Sequence, residues 1–270
     1  MTVALGGLKL GVAGAMLGML TTSAFAADLG DVGLKDTPLA GDKLSWTANV
    51  GVTSDYIFRG ISQNGRDPSG TAGVDLAYGM FYAGTSFEGV KFGNESAVAG
   101  AQVEYDLYAG IKPKLGIFTF DFGIVTYNYL NKNIDHPTYY DPTFQELKAG
   151  TSVTVLKDLA LSGTVFYSWN YFGETGAATT VEGTASKPIT KIAGVEVAAS
   201  GTVGHTYYSD SIKNGFKNYD YTYGNVGLTG TYNAVSVDLR WWDTDLPGAA
   251  CGTTVFQCGS AFVATLKITY

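Results

Sequence analysis

Nucleophilic catalysis needs a serine or cysteine held beside a base and an orienting acid. His205 with Ser209 and Asp210, in the stretch HTYYSD, is the one local grouping of those types, and no Gly-x-Ser-x-Gly context accompanies it. A histidine beside Tyr207 and Tyr208 fits a strand end or loop better than a catalytic base, so no enzymatic activity is expected. Cys251 and Cys258, in CGTTVFQC, pose a second choice between a metal site and a disulfide. The chain's only histidines are His136 and His205, which leaves a metal site short of ligands. A short disulfide loop is the expectation for a chain that passes through an oxidising periplasm, and no cofactor site is legible. What remains is charge at alternating positions: Asp55, Arg59, Asp75, Glu104, Asp106, Asp121, Glu146, Lys148, Glu182, Glu196, Asp238, Arg240 and Lys267. Their meaning depends on the elements that carry them.

The compartment is read from the first segment. Lys9 precedes Leu10, Val12, Ala13, Ala15, Met16, Leu17, Met19 and Leu20, and the run ends at Ala24, Phe25 and Ala26. Basic start, apolar middle and small-residue end are those of a secretory signal peptide, expected to be removed before Ala27. Read as an anchor, the stretch is only marginally long enough to cross about 30 Å of hydrocarbon. Residues 27–43 show no periodicity and carry Gly, Pro and Asp, which reads as a flexible periplasmic tail. The fold is expected over 44–270.

Loss of the leader leaves 16 basic against 24 acidic residues, a poor balance for nucleic-acid binding. Charged residues are only 15% of the chain, which is low for a water-soluble surface, while 18 Tyr, 14 Phe and 4 Trp are abundant. No apolar run after the leader is long enough for a transmembrane helix. Aromatic wealth without apolar runs suits a transmembrane barrel.

Period-two alternation starts near Leu44, with Trp46, Ala48, Val50, Val52, Tyr56 and Phe58 on one face and Thr47, Asn49, Thr53, Asp55 and Arg59 on the other. The same period recurs over 74–78, 81–87, 103–109, 118–124, 147–155, 159–171, 181–187, 195–207, 226–232, 235–241 and 262–270, giving about twelve strands. Short links at Gly79, 112–115, 156–158, 188–193 and Asn233 alternate with long ones at 59–70, 89–101, 130–144, 172–178, 209–221 and 243–260. Short periplasmic turns and long extracellular loops are the asymmetry of outer-membrane barrels. The predicted fold is an all-β, closed antiparallel transmembrane barrel, because only closure removes unpaired sheet edges from hydrocarbon.

Aromatic girdles are expected at both interfaces: Phe58, Tyr127, Trp169, Tyr171, Tyr207, Tyr223 and Trp241 by the long loops, Trp46, Tyr78, Tyr232 and Tyr270 at the other rim. The last strand, with Phe262, Ala264, Leu266 and Ile268 on one face, ends on Tyr270, the kind of terminus by which barrel-assembly machinery would take up the chain. With the apolar face toward lipid, parity turns the thirteen charges inward, nine acidic and four basic. A water-filled lumen tolerates them, and the acidic excess favours cations or neutral polar solutes. The competing picture pairs the charges, Asp238 with Arg240 and Glu146 with Lys148, and plugs a narrow barrel.

At WTANVGVTSDYIFRGISQ, residues 46–63, the chain resembles the TorF porin family of proteobacterial outer-membrane proteins. Similar blocks follow in order: DLYAG at 106–110, FQELKAG at 144–150, TYYSD at 206–210 and RWWDTD at 240–245. The resemblance implies an outer-membrane location, a barrel and a pore, and brings no catalytic or ligand residues with it. In RGISQ, Arg59 and Gln63 would lie at a pore mouth, or Gly60 would simply supply a turn. The functional expectation is a porin for passive diffusion of small polar solutes, preferring cations. The alternative is a non-conducting barrel that binds or adheres through its loops.

Overall fold

A computed structural model describes residues 43–92, 100–132, 140–156, 158–210, 212–213, 216–251 and 256–270. The expected signal peptide and periplasmic tail lie outside these. Twelve strands form the wall: β1 Ser45–Thr53, β2 Ser69–Tyr78, β3 Phe81–Gly89, β4 Val103–Ile111, β5 Phe118–Leu130, β6 Phe144–Val155, β7 Leu159–Ser168, β8 Ala178–Ile192, β9 Val195–Tyr208, β10 Tyr221–Tyr232, β11 Val235–Thr244 and β12 Ala261–Thr269. Each pairs antiparallel with its sequence neighbour, except that the long loop between β1 and β2 departs from the wall before returning. β12 pairs with β1 in the register Val50↔Ile268 and Val52↔Leu266, which closes the ring. Closure gives every wall strand two partners, so no edge is left to the hydrocarbon.

Alternation decides the two faces. Val50, Val52, Leu76, Leu107, Phe122, Ile124, Val203, Val226, Leu228, Leu239 and Phe262 are exposed on the outside, an apolar band that only lipid would cover without penalty. Trp46, Tyr78, Tyr232 and Tyr270 are exposed at the short-turn rim, and Trp169, Tyr207 and Trp241 at the other, as a girdle requires. The turns at the first rim are tight: Gly79, Asn233 and the pair Ala193–Gly194 have positive φ. The link expected at 188–193 is shorter than the sequence suggests. β8 continues to Ile192 by shifting register between Pro188 and Thr190, a bulge where proline's missing N–H can be absorbed.

The structure corrects the sequence reading at the first strand. Alternation continues through Tyr56 and Phe58, yet the wall strand stops at Thr53. Beyond it the chain turns into the barrel, where Ile57–Phe58 pairs with Ile61–Ser62 as a small hairpin. Tyr56, Ile57, Arg59 and Ser62 are buried there, so Tyr56 and Phe58 do not face lipid. Asp55 and Arg59 are inside because the loop folds inward, not because of strand parity. Three girdle assignments change for a related reason: Tyr127, Tyr171 and Tyr223 are buried in the interior near the long loops.

Candidate functional site in the barrel lumen

The inward hairpin crosses the lumen. Its tip has positive φ at Arg59 (49°) and Gly60 (80°), the left-handed backbone for which glycine carries least strain. Gly60 also abuts the wall, since a Cβ there would come within 2.8 Å of Tyr223 Cβ and 3.1 Å of Thr244 Cβ. From this tip Arg59 reaches β6: its Nη1 and Nη2 donate to the two carboxylate oxygens of Glu146 at 2.7 and 2.8 Å. Nη1 also donates to the Tyr171 hydroxyl at 3.3 Å, and Tyr127 donates to Glu146 at 2.9 Å. The guanidinium lies 4.8 Å from the Phe58 ring centre and 4.9 Å from that of Phe166, within cation–π range.

Aromatic rings seal the surroundings. Tyr127 stacks on Phe144 at 4.2 Å, Phe58 meets Tyr127 edge-on at 5.6 Å, and Phe144 contacts Tyr171 at 4.6 Å. Phe92, Phe172 and Phe256, from three different loops, join the same cluster. Arg59, Tyr56 and Tyr127 have no exposure to water, so the hairpin and these rings occlude the lumen at this level.

The base of the hairpin is tied to the neighbouring loop between β11 and β12. Ser62 Oγ donates to Asp55 at 2.6 Å and Arg66 pairs with Asp55 at 3.0 Å. Arg66 also donates to the carbonyls of Cys258 and Gly259, and Ser62 N donates to the Gln257 carbonyl at 2.9 Å. Cys251 and Cys258 are disulfide-bonded, as expected, and so hold the loop that holds the hairpin.

Toward the short turns the wall is polar. Arg240 binds Asp238 through Nε and Nη2, and reaches Asn225 at 2.6 Å and Ser200 at 2.9 Å. Lys148 pairs with Asp121 at 2.9 Å, which also accepts from Tyr82. Tyr108 donates to Asp75 at 2.6 Å; nearer the long loops, Tyr223 donates to Glu182. The pairing of Asp238 with Arg240 is therefore present, whereas Glu146 chooses Arg59 over Lys148. Lys267 is buried on β12, while Glu196 sits half-exposed at the turn rim with Lys191, 2.8 Å away.

One inward acid escapes the sequence reading. Glu88 on β3 is buried directly across from Glu104 on β4, and Asp106 lies two residues further along β4. Its parity with Tyr82 and Ser86, both buried, is the signal that would have found it. Asp75, Glu88, Glu104, Asp106 and Glu182 take part in no salt bridge among the described residues. His205 is a different case: its Nδ1 lies 2.9 Å from Thr222 Oγ1 and its ring packs against Tyr207, while Ser209 Oγ is directed to its neighbour Asp210 among the described residues. The three do not assemble into a nucleophile, base and acid, and His136 lies outside the described residues.

Residues 39–270 match the profile of a family described as "Bacterial protein of unknown function (Gcw_chp)". No curated protein matches the sequence. Among solved structures, the NanC porin is similar over 84% of this chain and 99% of its own, with a TM-score of 0.52 and 11% identity. OpdL of Pseudomonas aeruginosa aligns over 76% of this chain and 59% of its own (TM-score 0.36, 10% identity). OmpT of Vibrio cholerae aligns over 84% and 99% (TM-score 0.39, 8% identity). The NanC likeness is one of fold. A closed twelve-strand barrel with a lipid-compatible outer band and a polar interior places the chain in the bacterial outer membrane, in contact with its lipid.

Proposed function

The chain belongs to the Gcw_chp family, and we propose that it is a non-enzymatic outer-membrane channel for small polar solutes that prefers cations. The observation that carries this reading is the lumen wall, where five carboxylates stand without a basic partner among the described residues. Acids of one sign between low-dielectric walls create a potential that draws cations in and turns anions away. The resemblance of residues 46–63 to the TorF porin family supports the same reading, as does the name porin given to NanC. Pore-lining roles fall to Asp75, Glu104, Asp106, Asp121, Lys148, Glu182, Asp238, Arg240 and Lys267, with Asp55, Arg59 and Glu146 belonging to the constriction.

In this account the hairpin at 56–63 is the constriction, and passage follows its displacement. The last strand, ending at Tyr270, is the segment presented to the barrel-assembly machinery. The test is swelling of proteoliposomes in isotonic solutes. Replacing residues 56–63 with a Gly-Ser linker is expected to raise the swelling rate several-fold, more for a cationic amino acid than for an anionic one. A linker variant that folds yet swells no faster than protein-free liposomes would transfer the function to the loops, as a surface for binding or adhesion.

A further inference from the structure

Glu88, Glu104 and Asp106 place three carboxylates in one buried space. One oxygen from each lies within 4.8 Å of the others, and the residues are 4%, 3% and 0% exposed. Glu88 and Glu104 are direct cross-strand partners, an arrangement in which two like charges repel. Burial removes the water that would otherwise screen them. Hydroxyls satisfy only part of the set: Tyr56 donates to Glu104 Oε1 at 2.5 Å and Ser86 to Asp106 Oδ2 at 3.2 Å. Glu88 Oε2 and Asp106 Oδ1 are buried and accept no hydrogen bond among the described residues. No lysine or arginine pairs with any of the three in the described salt bridges. Two orphaned carboxylate oxygens beside a third carboxylate are what a cation would complete.

We propose that Glu88, Glu104 and Asp106 bind one calcium ion inside the barrel at its long-loop end. The donor set is oxygen alone, with no histidine or cysteine, which suits a hard cation rather than zinc or copper. Calcium accepts irregular sets of carboxylate oxygens, whereas magnesium demands near-ideal octahedral geometry and holds its waters, so three carboxylates fixed by strand pairing suit calcium better. A divalent ion would cancel most of the local charge and leave Glu104 anchored to Tyr56, the residue that opens the inward hairpin. The ion would thereby brace the hairpin against β3 and β4. The site stands on its own geometry, whether or not the barrel conducts.

The test uses the full mature chain, folded in detergent and stripped with a chelator. Terbium is added, and its luminescence is excited through tyrosine, since Tyr56 is bonded to one of the ligands. One equivalent is expected to give a saturating signal that calcium displaces at least ten-fold more effectively than magnesium. The double variant Glu88→Gln/Asp106→Asn is expected to lose that signal while keeping the heat-shifted gel mobility of a folded barrel. Absence of a saturable signal from the wild type, retention of it in the folded double variant, or equal displacement by magnesium would each overturn the assignment. Should the double variant fail to fold, Asp106→Asn alone carries the same comparison. Because the readout is metal binding, its failure leaves the conduction measurements untouched, and a silent channel leaves the metal site untouched.

Discussion

Arg59 and Glu146, 87 residues apart in sequence, meet inside the barrel through a two-pronged ion pair at 2.7 and 2.8 Å. The two residues are 0% and 1% exposed, so the contact fixes the inward hairpin to β6 without help or screening from water.

Removing one partner of a buried pair strands the other charge, at a cost of about 3–5 kcal/mol. Arg59→Ala is therefore expected to lower the urea midpoint of the folded barrel markedly. Arg59→Lys restores charge but not the planar fork or the ring stacking, and should recover only part of the loss. The pair Arg59→Met with Glu146→Gln, which leaves no charge unpaired, should recover most of it. An unchanged midpoint for Arg59→Ala would contradict the structural role given to the hairpin.

The twelve strands were legible because a membrane barrel imposes the same two-residue alternation and the same short-turn, long-loop rhythm along its length. The hairpin was not, because Tyr56 and Phe58 continue the alternation of Trp46 to Val52 after the strand has ended at Thr53. Apolarity marks a side chain that leaves water, and lipid and a packed lumen satisfy it equally. Tyr127 and Tyr223 show the same ambiguity, although Tyr127 shares parity with Asp121, and that parity outweighs its aromatic character. Facing within a wall strand follows alternation and was misread where an aromatic was placed by its type, whereas openness depends on a loop whose path no periodicity encodes.

A charge on the outer face tests the orientation of the barrel in lipid. Leu239 is exposed in the middle of β11, opposite Leu228. Leu239→Arg is expected to destabilise the barrel by about 2–4 kcal/mol in a bilayer, as a basic residue does near the midplane. Folding titrations in lipid vesicles measure it. A neutral effect would mean that this face does not meet hydrocarbon.

The disulfide is expected to hold the hairpin indirectly. Cys251 and Cys258 are seven residues apart, and closure of so short a loop contributes about 2–3 kcal/mol in the chain-entropy account. Replacing both with serine loosens the carbonyls of Gln257, Cys258 and Gly259 that accept from Ser62 and Arg66. Faster protease cleavage within 54–68 is the expected outcome, reproduced in the wild type by reductant. Equal cleavage would separate the two loops.

Acid should release one outer loop before it touches the barrel. Asp141 is partly buried, which by itself raises its carboxyl, but hydrogen bonds from Lys132 and Thr143 outweigh burial and hold it below its ordinary value of 3.8. A depressed carboxyl contributes stability above its unfolded value and loses it as pH falls through the folded one. Trypsin cleavage at Lys132 is therefore expected to stay slow at neutral pH and to be fast there in Asp141→Asn. Loop mobility followed by a spin label should rise only below about pH 4. Mobility that rises near neutrality would assign the anchoring to another group.

Single-channel recording of the purified mature chain in planar bilayers, under a salt gradient, tests the central claim most directly. The account predicts discrete steps whose reversal potential has the sign of cation preference. It also predicts larger or longer openings once residues 56–63 are replaced with a Gly-Ser linker and the hairpin is removed. Silence from both proteins, each folded and heat-shifted on gels, would contradict it and make the barrel a scaffold for its loops.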